Sequence, residues 1–237
     1  MGKEIRDAQQ KILKVFSKTA KNFALAGGTA LELYYLNHRF SADLDFFSST
    51  YDTAEIHALV CAFKKYTHYN IRLESDFFAA GKASVRFYTA ALKGTGRPLK
   101  IDFIEDVLLP NPHIKKIEGV RVYDPGDIFL QKLAAVAGTV PESDGVGRPV
   151  MQGRKEARDV FDIYMLSKKI SPLHMFLKKS PARFQRGMVH WYRTFSRQEL
   201  KLALLDLDIY DKKFDAKKMI FYLENEIRRF IREVIEP

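Results

Sequence analysis

Cysteine is nearly absent. The 237 residues hold one, Cys61, set in an apolar stretch. A disulfide framework and a cysteine-built zinc site are both excluded, and the residue reads as a buried, inert thiol. Long apolar runs are missing too, so no segment is expected to span a bilayer and no membrane partner is expected. The first residues, Met1 to Arg6, lead into an amphipathic pattern rather than the apolar core of a secretory signal. A cytoplasmic location is the expectation. There is no internal repeat and no low-complexity segment. The six histidines, His38, His57, His68, His113, His174 and His190, show no paired ligand spacing, and His38 reads as a surface residue.

Hydrophobic residues make up 46% of the chain, enough for a packed core and against wholesale disorder. The length allows one large domain or two small ones. The formal charge is +10 and it is unevenly spread: Lys168 to Pro237 hold 16 Lys and Arg against 9 Asp and Glu. Most of the positive excess therefore sits in the last third, where it favours a phosphate-bearing partner.

The pattern of apolar residues divides the chain in two. Ile5 to Phe16 has helical spacing. Phe23 to Ala26 is a short apolar run that stops at Gly27-Gly28, and Thr29 to Leu36 then reads as a helix. Asp43 to Phe47 alternates carboxylate and apolar residues as a half-buried strand does. A helix is expected over Thr53 to Tyr66, and strands over Asn70 to Glu74, Ala83 to Leu92 and Leu99 to Ile104. Lys93 to Pro98 forms a turn between the last two. In the second half, Asp124-Pro125 starts a helix that runs to about Ala137. Gly138 to Gly153 reads as a mobile loop. Arg154 to Ser167 and the remainder read as helical, ending in an apolar stripe of Ile220, Leu223, Ile227, Phe230, Ile231 and Val234. The expectation is an α+β fold. Residues 1–123 form a mixed sheet with helices, and 124–237 form a mainly helical half.

Three acids carry chemistry. Residues i and i+2 of a strand share a face, so Asp43 and Asp45 project together. Two like charges that close repel, and a divalent cation removes the cost. Mg²⁺ takes oxygen ligands, commonly one or two carboxylates plus substrate phosphates. Gly27-Gly28-Thr29 opens a helix directly after a strand, where glycine permits close backbone approach and helix amides attract phosphate. Asp102 lies on a later apolar strand, Leu99 to Phe103. Set beside Asp43 and Asp45, it would meet the same metals, an arrangement suited to in-line phosphoryl chemistry.

These blocks together resemble the polymerase-β-type nucleotidyltransferase superfamily. Ala26-Gly27-Gly28-Thr29-Ala30-Leu31 with His38-Arg39-Phe40-Ser41-Ala42-Asp43-Leu44-Asp45-Phe46-Phe47 is similar, more narrowly, to the AbiEii/AbiGii toxin family. Asp127 to Ala135 resembles that family's lysine helix, and Arg158 to Leu166 resembles its Arg/Lys-Asp-x-x-Asp helix. The match spans roughly Phe23 to Leu166. The spacing from Gly28 to Asp43 is slightly long for the superfamily, and the loop from Gly138 to Gly153 separates Lys132 from Asp159 widely.

The resemblance implies roles. Asp43, Asp45 and Asp102 would ligate Mg²⁺ or Mn²⁺, with Asp102 also the general base. Gly27, Gly28 and Thr29 would contact the triphosphate of an NTP. Arg39 and Ser41 would line the phosphate or base side. Lys132 would neutralise triphosphate charge and Asp159 would orient it or the substrate, while Asp162, the less favoured acid of that helix, would face solvent. The residues alone leave a structural ion pair between Lys132 and Asp159 open. The implied activity is transfer of a nucleoside monophosphate to RNA, such as the 3′ end of tRNA, restrained by a cognate antitoxin. Three alternatives stay open: a protein acceptor, a sugar-nucleotide glycosyltransferase using Asp-x-Asp, and a non-catalytic nucleotide- or RNA-binding module.

Overall fold

The computed structural model describes residues 2–235 apart from 79–82, 93, 95, 139–140, 144–148, 152 and 155. The chain divides into two compact units, one of Met1–Tyr35 with Phe40–Asp127 and one of Leu36–Arg39 with Ile128–Pro237. The segment Leu36–Arg39 thus belongs with the helical half, a crossing that a single boundary near Tyr123 does not capture.

The first unit is built on a seven-stranded mixed sheet. In chain order it contains helix α1 (Gly2–Thr19), strand β1 (Ala24–Ala26), the short helix α2 (Gly27–Ala30), which continues as a π-helical turn over Leu31–Leu36, β2 (Leu44–Ser48) and α3 (Thr53–Thr67). Strands β3 (Asn70–Phe77), β4 (Val85–Ala91), β5 (Leu99–Glu105), β6 (Ile114–Ile117) and β7 (Val120–Tyr123) follow. The spatial order is β3-β4-β5-β2-β1-β7-β6. Two pairings are parallel, β2 with β5 and β1 with β7, and the other four are antiparallel.

One face of this sheet carries the core. Leu44 and Phe46 of β2, Ile101 and Phe103 of β5, and Tyr88 and Ala90 of β4 are buried there. The apolar face of α1 (Ile5, Ala8, Ile12, Phe16) is buried as its spacing requires. Phe16 stacks on Phe46 at 4.2 Å between ring centroids. Asp52 caps α3 by accepting from the amides of Ala54 and Glu55. Cys61, expected to be buried, is exposed. It lies on α3, whose buried residues are Glu55, Ile56, Leu59, Val60 and Phe63, so position 61 falls off the apolar stripe.

Strands β6 and β7 go beyond the elements expected from the sequence. They form a tight hairpin whose two turn residues, Glu118 and Gly119, both have positive φ, 50° and 83°. That is the geometry of a type I′ turn, which glycine makes tolerable.

The second unit contains most of α4 (Pro125–Ala137), and then α5 (Ala157–Lys169), α6 (Leu173–Lys179), α7 (Ala182–Thr194), α8 (Arg197–Leu204) and α9 (Ala216–Phe230). The segment expected as a mobile loop, Gly138 to Gly153, contains two short strands, β8 (Pro141–Ser143) and β9 (Pro149–Met151), paired antiparallel. Several of its other positions lie outside the described residues. In α9, Ile220, Leu223, Ile227 and Phe230 are buried as the stripe predicts, whereas Val234 is exposed. The helix turns π-helical over Ile231–Ile235, which shifts the residues after Phe230 out of register.

Candidate active site

The sheet register brings two of the three acids side by side. Asp45 of β2 is the direct cross-strand partner of Asp102 of β5. Directly opposed residues share a face, and this is the face away from the core. Asp43 precedes β2 by one residue and is likewise half-buried. Burial, then the charges of Asp45 and Asp43, push the Asp102 carboxyl up to about 7 from 3.8, against a smaller opposing pull from Lys100. A carboxylate so placed keeps a proton near neutral pH unless positive charge arrives.

The glycine turn lies against these acids. Gly27 has a φ of 67°, and a Cβ built there would sit 2.3 Å from Oδ2 of Asp45. Only a residue without a side chain permits that contact. Thr29 is fully buried, and its hydroxyl donates to the backbone carbonyl of Asp43. It therefore holds the approach to β2, and its hydroxyl is turned inward rather than offered to a triphosphate. Ser41 is fixed through its backbone: its amide donates to Glu32 Oε2 at 2.8 Å, and its carbonyl accepts from Gln9 Nε2 at 2.9 Å. Glu32, buried in the π-helical turn, also pairs with Arg6 of α1. Gln9, Glu32 and Arg6 were not singled out in the sequence. Each is a polar residue on a buried or half-buried face, which is the signal that marks them.

In the second unit the polar residues that carry the resemblance form one buried ion cluster. Asp162 is its hub. Arg39 donates to both of its oxygens, at 2.7 Å each, and His38 Nε2 lies 2.8 Å from Oδ1. Lys132 Nζ lies 2.8 Å from Asp162 Oδ2 and 2.6 Å from Asp159 Oδ1. Arg154 reaches the other oxygen of Asp159 at 3.1 Å. Burial alone would lower the Lys132 ammonium, but Asp162 and Asp159 outweigh it and raise its pKa. Burial alone would raise Asp162, but Lys132, Arg39 and the His38 hydrogen bond hold it well below the usual carboxylate range.

Three expectations are corrected here. Asp162 is fully buried, not solvent-facing. His38 is buried, stacked on Phe161 at 5.6 Å, not on the surface. Arg39, expected along the phosphate or base, is buried in a bidentate pair with Asp162. A lone buried carboxylate would be costly, and this pairing satisfies it. Trp191 and Tyr192 are used within the helical unit. Trp191 stacks on Phe195 at 4.3 Å, and the Tyr192 hydroxyl accepts from Arg228.

Hard oxygen donors are the right chemistry for Mg²⁺, and a divalent cation would offset both the burial of the Asp102 carboxylate and the neighbouring charges of Asp45 and Asp43. Among the described residues no group of three His, Cys, Asp or Glu side chains is already converged on one point. A cation bound by two carboxylates and substrate phosphates needs no such cage.

Two solved structures share the fold over nearly the whole chain. JHP933 from Helicobacter pylori superposes with a TM-score of 0.62 at 21% identity, covering 99% of this chain and 94% of that one. A second Helicobacter pylori chain, solved as a nucleotidyltransferase candidate, gives 0.61 at 20% identity, covering 98% and 95%. No curated protein matches the chain. The class is a nucleotidyltransferase-like α+β fold. The family described as "Nucleotidyl transferase AbiEii toxin, Type IV TA system" matches residues 11–233, and the chain belongs to it. It is therefore a nucleotidyltransferase, which sets aside the glycosyltransferase and non-catalytic alternatives.

Proposed function

We propose that the chain transfers a nucleoside monophosphate from an NTP to the 3′ end of an RNA, with tRNA the expected class, and that a cognate antitoxin restrains it. The observation that carries this reading is the register of Asp45 and Asp102 on the open face of the sheet, with Gly27 against Asp45. The basic excess from Lys168 onward supports a polyanionic acceptor.

Asp43, Asp45 and Asp102 are the residues that would hold Mg²⁺ or Mn²⁺, which would neutralise charge on the triphosphate and the attacking oxygen. Asp102, ionised once a cation is bound, takes the proton of the acceptor hydroxyl. The acceptor oxygen bonds to the α-phosphorus as the bond to the β-phosphate bridging oxygen breaks. Acceptor hydroxyl and NTP thus become acceptor-NMP and pyrophosphate, with one proton released. The backbone around Gly27 and Gly28 approaches the triphosphate, and the Thr29 hydroxyl holds the backbone carbonyl of Asp43. Lys132, buried and held by both Asp159 and Asp162, has the structural part in this reading, inside the ion cluster of the helical unit.

The test is incubation with Mg²⁺, each α-labelled NTP in turn and total bacterial RNA, with Asp43→Ala alongside. Label in RNA that the variant loses supports the reading and names the nucleotide. Label on protein instead replaces RNA with a protein acceptor. Label in neither contradicts the reading.

A further inference from the structure

The acid face of the sheet continues outward past Asp102, and what it carries there is aromatic and basic. Phe87 of β4 is the direct cross-strand partner of Asp102. The row therefore runs Phe87, Asp102, Asp45 across three adjacent strands. β4 is an interior strand, flanked by β3 and β5. Even so, Phe87 is 39% exposed. It makes no ring contact among the described residues, while Tyr88, its neighbour on the other face, packs edge-on against Phe103. The next row on the same face is Arg72, Thr89 and Lys100, by the pairings of β3 with β4 and β4 with β5. Arg72 and Lys100 are exposed. Glu74, at the bulge in β3, is occupied by the Thr89 hydroxyl. Phe77, 45% exposed, extends the apolar part of the face beside Val85.

An exposed aromatic ring one strand from the proposed general base, with two exposed cations in the adjacent row, suits one end of a single-stranded nucleic acid. Bases stack on aromatic side chains, and the backbone follows positive charge. We propose that Phe87 is the platform on which the acceptor's terminal base stacks, and that Lys100 and Arg72 receive its phosphate. The inference rests on the reading of Asp45 and Asp102 as the transfer site and names the residue that presents the acceptor to it. Phe87 is a positioning residue. It sets where the acceptor hydroxyl stands relative to Asp102, and the NTP has no contact with it.

The experiment uses the full chain with Phe87→Ala, Phe87→Trp and Lys100→Ala. Label transfer is measured against RNA concentration at saturating NTP, and against NTP concentration at saturating RNA. Binding of a 5′-fluorescein single-stranded RNA of about 12 nucleotides is followed in parallel by anisotropy. Phe87→Ala is expected to raise the KM for RNA, and to weaken RNA binding, by about 5- to 100-fold, with the KM for NTP unchanged. Phe87→Trp is expected to restore both, which a loss of folding would not allow. Equal RNA binding by wild type and Phe87→Ala overturns the platform, whether or not label is transferred. Absence of label with Phe87-dependent RNA binding overturns the transfer reading and leaves the platform. A Phe87→Ala effect on the KM for NTP alone, or label carried to protein with no RNA binding, assigns the face to another ligand and overturns the proposal.

Discussion

Gly27 has no room for a side chain, because Oδ2 of Asp45 occupies the place where a Cβ would stand. Its φ of 67° would strain any other residue as well. Gly27→Ala should therefore displace Asp45, and a misplacement of about 1 Å is enough to cost on the order of 100-fold in rate. The check is kcat/KM for label transfer together with a melting curve, to separate lost activity from lost fold. Asp102 makes a prediction of a different kind. Its folded pKa, pushed up to about 7, lies above its ordinary 3.8. Between those values the folded metal-free protein holds a proton that the unfolded chain has released. Stability contributed by this group is thus present below the ordinary value, falls as pH rises through the window, and is lost above 7. Mg²⁺ should raise the Tm more at pH 8 than at pH 5, and Asp102→Asn should remove much of that difference. Equal Mg²⁺ effects at both pH values would contradict the metal assignment.

The elements that hold the site differ in how far their sequence discloses them. Strands β2 and β5 are plain, because alternation over Asp43 to Phe47 and Leu99 to Phe103 has the period of a strand and a carboxylate on one face. That the two strands lie side by side is an expectation from chemistry; the parallel orientation and the pairing of Asp45 with Asp102 come from the register. The β6–β7 hairpin was passed over because each strand is four residues long, although Glu118-Gly119 between apolar residues is a turn signal. The cluster around Asp162 was illegible for a different reason. Arg39 and Asp162 lie 123 residues apart, and no local period links them. Thr29 shows the opposite failure: a hydroxyl at a helix start suggested a ligand contact, and the fold uses it inside, on the carbonyl of Asp43. The Asp162 cluster ties α4, α5 and the Leu36–Arg39 segment together. Removing its hub leaves Arg39 and Lys132 buried without their shared partner, which should cost about 3–5 kcal/mol in Asp162→Ala. Urea unfolding measures it, and a loss under about 1 kcal/mol would show the cluster to be dispensable for stability.

At the scale of the whole molecule, the positive charge decides how an acceptor is found. A net +10 attracts any polyanion, and counterion release makes such binding fall steeply with salt. RNA affinity should drop by about tenfold or more between 50 and 200 mM salt. The KM for NTP, set by fewer charges, should move less, and parallel titrations of the two would show it. None of the described helices is long and apolar enough to cross a membrane. The family match from residue 11 to 233 takes in both units. The central claim is that the Asp45–Asp102 face moves a nucleotidyl group rather than a phosphoryl group. The most direct measurement runs α-labelled and γ-labelled NTP side by side with RNA and Mg²⁺, for wild type and Asp45→Asn. Label should reach RNA from the α position only, with the γ label released as pyrophosphate, and Asp45→Asn should abolish both signals. Label reaching RNA from the γ position, or undiminished transfer in the variant, would contradict it.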